Sequence, residues 1–177
     1  MNVLALDTSI RACGVGLFAE GRLSWTTLRP PTDGVLEYRS EQLVSSLQDW
    51  IRGHLPLRNS RIHCALVEMP SFQDSERGRI AAAGGGLVKL GFVAGYLASF
   101  LARCSVVDRV HLVLPVQWKG CLSKLQTRQR LEQHPAFQKT LEGARYDHNA
   151  ADAMGMIQWW LSRQRRHVFS KPTIIYL

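Results

Sequence analysis

The chain has 177 residues, of which 46% are hydrophobic and 20% are charged. This length fits one compact domain, and the composition excludes a disordered or fibrous chain. The formal net charge of +8 at pH 7 and the isoelectric point near 9.8 are high for one domain. Such a charge favours an anionic partner, most commonly nucleic acid, over the alternative of a soluble basic protein without one.

The cysteines and the N-terminal region indicate the cellular compartment. Cys13, Cys64, Cys104 and Cys121 are widely spaced, without a CxxC pair or a cluster with histidine. This pattern argues against a zinc site or a disulfide framework and favours a reducing compartment. The chain begins with a strand-like segment, and no uninterrupted apolar run has the length of a bilayer span. We expect a soluble, cytoplasmic protein with no membrane contact.

The first part of the chain has the pattern of three antiparallel strands followed by a helix. Short β-type runs are joined by turn signals, among them the pair Glu20 and Gly21, which predicts a hairpin. Apolar residues then recur at helical spacing and stop before Pro56. We predict strands at residues 2–7, 12–19 and 21–28 and a helix at residues 37–55.

The rest of the chain alternates apolar strands with helices. The predicted segments are a strand at residues 62–68, a helix rich in small residues at 79–101, a strand at 105–114, helices at 123–134 and 149–164, and a basic, weakly ordered tail from about residue 164. This order predicts one α/β domain over residues 1–177. Its mixed five-stranded central sheet, with three antiparallel strands and then parallel ones, is flanked by helices on both faces.

Two of the predicted strands end in an acid. Asp7 closes the apolar run of the first strand, and Glu68 closes that of the fourth, although acids are depleted in strands. Taken singly, each fits a loop residue that caps the next turn. Taken together, they place two carboxylates at the lip of the predicted sheet.

The last predicted helix opens with a charged cluster in the segment YDHNAADAM. Asp147 fits the N-cap position, where its negative charge also complements the helix dipole. Asp152 lies past the cap among small residues, and His148 and Asn149 share its face of the helix. An acid in this setting, near two strand-end acids, is better explained as a ligand of a hard cation such as Mg²⁺.

Four segments resemble the successive motifs of RuvC-type Holliday-junction resolvases, within the ribonuclease H-like superfamily. They are LALDTSIRACGVGLF, ALVEMPSF, GGGLVKLGFVAGYLASFLA and DHNAADAMGMIQWWL, and their spacing agrees over nearly the whole chain. The segments PVQWKGCLSK and DHN are similar to phage-type members, for which the compartment would be the host cytoplasm. The resemblance implies a ribonuclease H-like nuclease fold.

The resemblance also implies a homodimeric, metal-dependent endonuclease of the crossover-junction type. Such an enzyme cuts branched DNA, for example a four-way junction, symmetrically. Asp7, Glu68 and Asp152 would hold Mg²⁺ or Mn²⁺, with two ions per active site on either side of a phosphodiester. We therefore expect branched DNA and a second copy of the chain as partners.

One position departs from the family pattern. The family usually has a second acid or a histidine three residues before the final aspartate, and this chain has Asn149. Either Asn149 is a weak fourth ligand, or Asp147 or His148 replaces it. The departure keeps open a nucleic-acid-binding module whose chemistry has decayed. Cleavage of RNA–DNA hybrids is a third interpretation.

Basic and aromatic residues are distributed as expected for a junction-binding protein. Phosphate contacts would supply most of the affinity, and aromatic rings could stack on unpaired bases. Each residue also has an ordinary interpretation, as a solvated surface charge or as a core aromatic. The aromatic after the fourth strand stands where the family carries a wedge residue. The candidate DNA-binding residues are Phe72, Arg77, Arg79, Lys89, Trp118, Lys119 and Lys124.

The helix predicted at residues 79–101 has two interpretations. Its run AAAGGGLVKLG suggests a phosphate-binding loop, but Lys89 is followed by Leu90 where that motif needs serine or threonine. Small residues for close helix packing are the better account. We expect this helix to form the interface of a two-fold dimer.

Overall fold

The computed structural model describes residues 1–55, 60–71, 79–80 and 83–169, with the backbone alone for residues 165–169. Its strands are β1 (Val3–Asp7), β2 (Cys13–Ala19), β3 (Arg22–Leu28), β4 (Cys64–Glu68) and β5 (Val110–Val113). Its helices are α1 (Leu36–His54), α2 (Gly86–Arg103), α3 (Pro115–Trp118), α4 (Lys124–Glu132), α5 (Gln138–Leu141) and α6 (His148–Phe169).

The five strands form one mixed sheet in the order β3-β2-β1-β4-β5. The pairs β1–β2 and β2–β3 are antiparallel, and the pairs β1–β4 and β4–β5 are parallel. Leu6 lies opposite Val67, so the next residue of each strand, Asp7 and Glu68, ends adjacent parallel strands at the same edge. The predicted ribonuclease H-like α/β sheet is confirmed.

Alternate residues of β1 pack against helices on opposite faces of the sheet. Leu4 and Leu6 join a core with residues of α1 and α2. Val3 and Ala5 join a second core with residues of α4 and α6. Asp7 continues the second series, so the alternation assigns its side chain to the face that α6 covers.

Two glycines of β2 let α6 lie directly on the sheet. A Cβ atom at Gly14 would stand 2.0 Å from the carbonyl oxygen of Asn149, and one at Gly16 would stand 3.0 Å from Ile157 Cδ1. A side chain at Gly14 would therefore overlap the helix backbone. Because Gly14 is the register partner of Asp7, this approach brings the first turn of α6 to the end of β1.

The helix predicted at residues 79–101 is not continuous, which corrects the sequence-based boundary. Residues 79, 80 and 83 are helical, but a turn at Gly84 and Gly85 precedes α2. Gly85 has a φ of 70°, in the left-handed region that glycine adopts without strain. The break makes α2 a separate helix with its own starting direction.

Two other predicted boundaries are also wrong. β5 begins only at Val110, since the residues before it form a turn in which Val107 makes an isolated bridge with Ile62. α6 continues to Phe169 and so includes the first residues of the predicted basic tail. The last helix is therefore longer, and the last strand shorter, than the sequence pattern predicts.

By length and composition alone, α2 is apolar enough to cross a membrane. Core helices of soluble proteins pass the same test. Val93, Ala94, Leu97 and Leu101 of α2 are buried in the core that α1 and the sheet complete. That packing accounts for the apolar residues on one face of α2. Other apolar residues of the helix, among them Val88 and Phe92, are exposed.

Candidate active site

The three acids predicted as metal ligands are brought together at one edge of the sheet. Asp7 ends β1 and Glu68 ends β4, while Asp152 lies in the second turn of α6. Leu66, two residues before Glu68, packs in the same core as α6, so alternation assigns Glu68 to that face as well. The negative charges of Glu68 and Asp152 both act on Asp7, as expected of close neighbours.

Backbone and hydroxyl contacts hold the strand ends in place. Thr8 Oγ1 donates a hydrogen bond of 2.7 Å to the carbonyl oxygen of Glu68. The amide of Met69 donates one of 2.8 Å to the carbonyl oxygen of Val113. β1, β4 and β5 are thus joined at the point where the two carboxylates emerge.

Burial and mutual repulsion oppose ionisation of the two strand-end acids. Burial raises the pKa of Asp7 well above its ordinary value, and the charges of Glu68 and Asp152 raise it further. Burial also raises the pKa of Glu68, to about 7, although a hydrogen bond from Trp118 opposes the rise. The charge of Lys119 lowers both pKa values. A cation bound here would relieve this repulsion.

Lys119, predicted to contact DNA, instead lies among the acids. Its Nζ atom is 2.9 Å from Asp152 Oδ1 and 2.7 Å from Oδ2. The side chains are only 17% and 14% exposed, respectively. The ammonium group therefore already supplies one positive charge to the cluster.

Trp118, predicted to stack on unpaired bases, is buried in the core beneath α6. The residue is only 7% exposed, which leaves little of the ring open to stacking by a base. Its indole Nε1 donates a hydrogen bond of 2.6 Å to Glu68 Oε2. The structure thus replaces the predicted stacking role with a contact inside the acidic cluster.

Asp147 has the capping role that the sequence suggested as its alternative. Its Oδ1 accepts hydrogen bonds from the amide of Ala150 at 3.0 Å and from Thr27 Oγ1 at 2.6 Å. Its Oδ2 accepts one of 2.7 Å from Arg29 Nη2. Burial raises the pKa of Asp147, but the hydrogen bonds from Thr27, Ala150 and Arg29, together with the charge of Arg29, lower the pKa below its ordinary value. Both carboxylate oxygens already have partners on the protein.

The other two candidates for the fourth ligand differ in exposure. His148 is exposed, and Asn149 is half-buried at the start of α6. Asn149 lies three residues before Asp152, on the same face of the helix. Its backbone rests on Gly14, beside the end of β1. Asn149 therefore shares a helix face with Asp152, and its backbone packs beside the end of β1, where Asp7 lies.

The remaining candidate DNA-binding residues are distributed over several elements. Phe72 and Arg77 lie outside the described residues. Arg79 and Lys89 are exposed on either side of the break before α2. Lys124 is exposed at the start of α4, and its charge lowers the pKa of Asp7. Lys124 is thus close enough to the acids for its charge to act on Asp7.

The acids have the oxygen donors that Mg²⁺ and Mn²⁺ prefer. In residues 1–55, 60–71, 79–80 and 83–169, however, no three histidine, cysteine, aspartate or glutamate side chains are grouped closely enough to hold an ion. Both oxygens of Asp152 instead lie within hydrogen-bonding distance of the Lys119 ammonium group. Coordination by all three acids would require Asp152 to leave Lys119.

Several contacts at the site were not identified from the sequence. They involve Thr8, Thr27, Arg29, Thr127 and Gly155, together with the inward orientation of Trp118 and Lys119. One signal was available, since the Trp-Lys pair follows the fifth strand at the edge where the two acids end. Parallel strands put such segments side by side.

No protein-family model matches the chain, and no curated protein matches it. Two solved structures of Thermus thermophilus RuvC match the chain. Each has 16% sequence identity, and each alignment covers 94% of this chain and 96% of the RuvC chain. The TM-score is 0.66 for the structure of RuvC in complex with Holliday junction substrate and 0.63 for the other RuvC structure. The chain therefore has the fold of a RuvC-type resolvase.

Proposed function

We propose that the protein is a metal-dependent, structure-selective endonuclease that resolves Holliday junctions or other branched DNA by symmetric phosphodiester hydrolysis. The observation that carries the proposal is the convergence of Asp7, Glu68 and Asp152 from three elements at one edge of the sheet. The similarity to RuvC, one structure of which contains a Holliday junction substrate, supports branched DNA as the substrate class.

Asp7, Glu68 and Asp152 would hold Mg²⁺ or Mn²⁺, two ions per site, with Asn149 as a weaker fourth ligand. The bound metal would activate water and stabilise the leaving 3′ oxygen. The protein's own contribution is to fix the carboxylates and balance their charge. Lys119 contributes to that balance, since its charge lowers the pKa values of Asp7 and Glu68.

Binding of the DNA would depend on basic residues around this edge. Lys124 is exposed and close enough to Asp7 to lower the pKa of its carboxyl. Arg79 and Lys89 are also exposed, on either side of the break before α2. Each phosphate contact releases a counterion, so the affinity for junction DNA should fall steeply as salt is added.

A two-fold dimer would supply the second active site that symmetric cleavage needs. α2 carries large apolar side chains that one chain leaves exposed: Val88 is 75% exposed and Phe92 is 39% exposed. Ile80, before the break, is 66% exposed. A second copy of the chain packed on this surface would remove these side chains from water.

The proposal is tested by incubating the protein with a synthetic four-way junction, a linear duplex and an RNA–DNA hybrid, each with EDTA, Mg²⁺ or Mn²⁺. We expect two symmetrically placed nicks in the junction, only with metal, and no cutting of the linear duplex. Preferential cutting of the hybrid would instead assign a ribonuclease H-type activity. The Asp7→Asn variant controls for a contaminating nuclease.

The contact between Lys119 and Asp152 favours a second candidate, a junction-binding module with weakened chemistry. An ammonium group on Asp152 and a neutral residue at Asn149 both reduce the charge available to a metal. Such a module would bind the four-way junction in preference to the linear duplex. It would cut neither substrate, whether Mg²⁺ or Mn²⁺ is present. The same assays, read together with a gel-shift titration, distinguish the two candidates.

A further inference from the structure

We propose that Trp118 is a positioning residue that fixes the Glu68 carboxylate for metal binding. The inference rests on the proposed function, because it assigns a new role at the same site. It begins from the 2.6 Å hydrogen bond between indole Nε1 and Glu68 Oε2. A hydrogen bond to a charged carboxylate is short and directional, so it restricts rotation of the group. It also occupies one of the two oxygens and leaves the other for a cation.

The indole ring is itself held by α6, the helix that carries Asp152. A Cβ atom at Gly155 would stand 2.7 Å from Trp118 Cζ3 and 3.2 Å from Thr127 Cγ2. The ring therefore lies against the helix at a position where only hydrogen fits. Gly155 lies three residues after Asp152, so one helix carries Asp152 and also sets the position of the ring that holds Glu68.

The backbone of Trp118 is fixed by the short helix α3, of which it is the last residue. α3 begins with Pro115, whose ring presets the helical φ angle. The side chain of Gln117 accepts a hydrogen bond of 2.7 Å from the amide of Leu114, which closes the start of this short helix. Trp118 is thus a rigid connection between two helices and one carboxylate.

A tryptophan that merely fills the core would pack in the same way, so the test must separate packing from positioning. Trp118→Phe keeps an aromatic ring against Gly155 and removes the N–H donor. Trp50→Phe is the matched control, because Trp50 stacks on His54 at the end of α1, on the other face of the sheet. Each variant is titrated with Mn²⁺ by calorimetry, without DNA, and its thermal midpoint is measured.

We expect Trp118→Phe to bind Mn²⁺ about ten-fold more weakly than the unmodified protein, since outer contacts to metal ligands typically contribute 10–100-fold to affinity. Trp50→Phe should bind Mn²⁺ normally. Gly155→Ala should weaken binding as well, because the added methyl group displaces the ring without touching any acid. In proton–nitrogen NMR spectra, the indole resonance missing from Trp118→Phe should shift when Mg²⁺ is added.

Unchanged Mn²⁺ affinity in folded Trp118→Phe, or an indole resonance that Mg²⁺ leaves in place, overturns the inference. Undetectable binding of Mn²⁺ to the unmodified protein overturns it too. The proposed function fails separately: a protein that binds Mn²⁺ through this arrangement but cuts no branched DNA supports the role of Trp118 and refutes the nuclease. A protein that cuts junctions while Trp118→Phe binds metal normally refutes only the role of Trp118.

Discussion

Lys119 places its ammonium nitrogen within 3 Å of both carboxylate oxygens of Asp152, at 2.9 and 2.7 Å, in a nearly buried ion pair. Breaking such a pair from one side leaves an uncompensated charge, which costs about 3–5 kcal/mol in well-buried cases. We expect Lys119→Met to lower the thermal midpoint of the metal-free protein. Mg²⁺ should then raise the midpoint more in Lys119→Met than in the unmodified protein, because the cation replaces the lost ammonium.

The matched control for this change is Lys89→Met, since Lys89 is exposed on α2. The thermal midpoint of Lys89→Met should equal that of the unmodified protein, both without Mg²⁺ and with it. Equal stabilisation of Lys119→Met and the unmodified protein by Mg²⁺ would mean that the ammonium and the metal do not share a site.

Removing single carboxylates tests their assignment as metal ligands. Asp7→Asn, Glu68→Gln and Asp152→Asn should each abolish metal-dependent cleavage and leave junction binding largely intact, because phosphate contacts supply most of the affinity. Cleavage is measured on a four-way junction and binding by gel shift in EDTA. Full activity in any of the three variants would remove that residue from the metal site.

The raised pKa of Glu68 makes the metal-free stability depend on pH. The pKa is about 7 in the folded protein against an ordinary value of 4.5, so folding favours the protonated carboxyl. This contribution is fully present below about pH 4.5 and is lost as the pH rises through about 7. Urea unfolding in EDTA should therefore give a lower free energy at pH 8 than at pH 5.

The Glu68→Gln variant should reduce this difference, and saturating Mg²⁺ should also reduce it. Asp147 does not interfere, because its pKa is lowered from an ordinary value of 3.8 and its contribution is lost only as the pH falls into the acid range. An identical pH dependence in Glu68→Gln and the unmodified protein would assign the effect to another group.

Changes at the start of α6 separate metal binding from helix capping. Asn149→Asp should keep or raise activity by adding a charged ligand, and Asn149→Ala should raise the metal concentration needed for cleavage. Asp147→Ala should lower stability by about 1 kcal/mol, the usual effect of losing an N-cap, without moving the metal requirement. His148→Ala should change neither. Metal titrations and thermal melts of the four variants measure this, and four unchanged titrations would leave Asp152 as the only ligand on this helix.

A charge placed on the exposed face of α2 tests the dimer. Phe92, whose ring stacks on Tyr96, should lie in the interface, so Phe92→Glu should give a monomer by light scattering and should lose symmetric cleavage. Val35→Glu is the control, because Val35 is 67% exposed just before α1. A monomeric mass for the unmodified protein, with and without junction DNA, would contradict the prediction.

The sequence predicted the sheet and the acids better than the contacts around the acids. Asp7 and Glu68 are recognisable because each ends an apolar run in the sequence, and each of these runs forms a strand that ends at the same acid. The inward orientation of Trp118 and Lys119 could not be recognised in the same way, because it depends on how the segment after β5 crosses the sheet edge toward α6. The break at Gly85 lies within three consecutive glycines at residues 84–86, and glycine is a poor helix former, so interpreting them only as small packing residues predicts a helix that is too long.

The pairing of Leu6 with Val67 also bears on how the site forms during folding. β1 and β4 are distant in the chain, and α6 is more distant still, so the three acids meet only after the slowest, non-local contacts have formed. A nascent chain that has made β1–β3 and α1 carries one acid of the three and has no ion-binding centre. Acquisition of metal affinity should therefore be a late event, and a measure of complete folding.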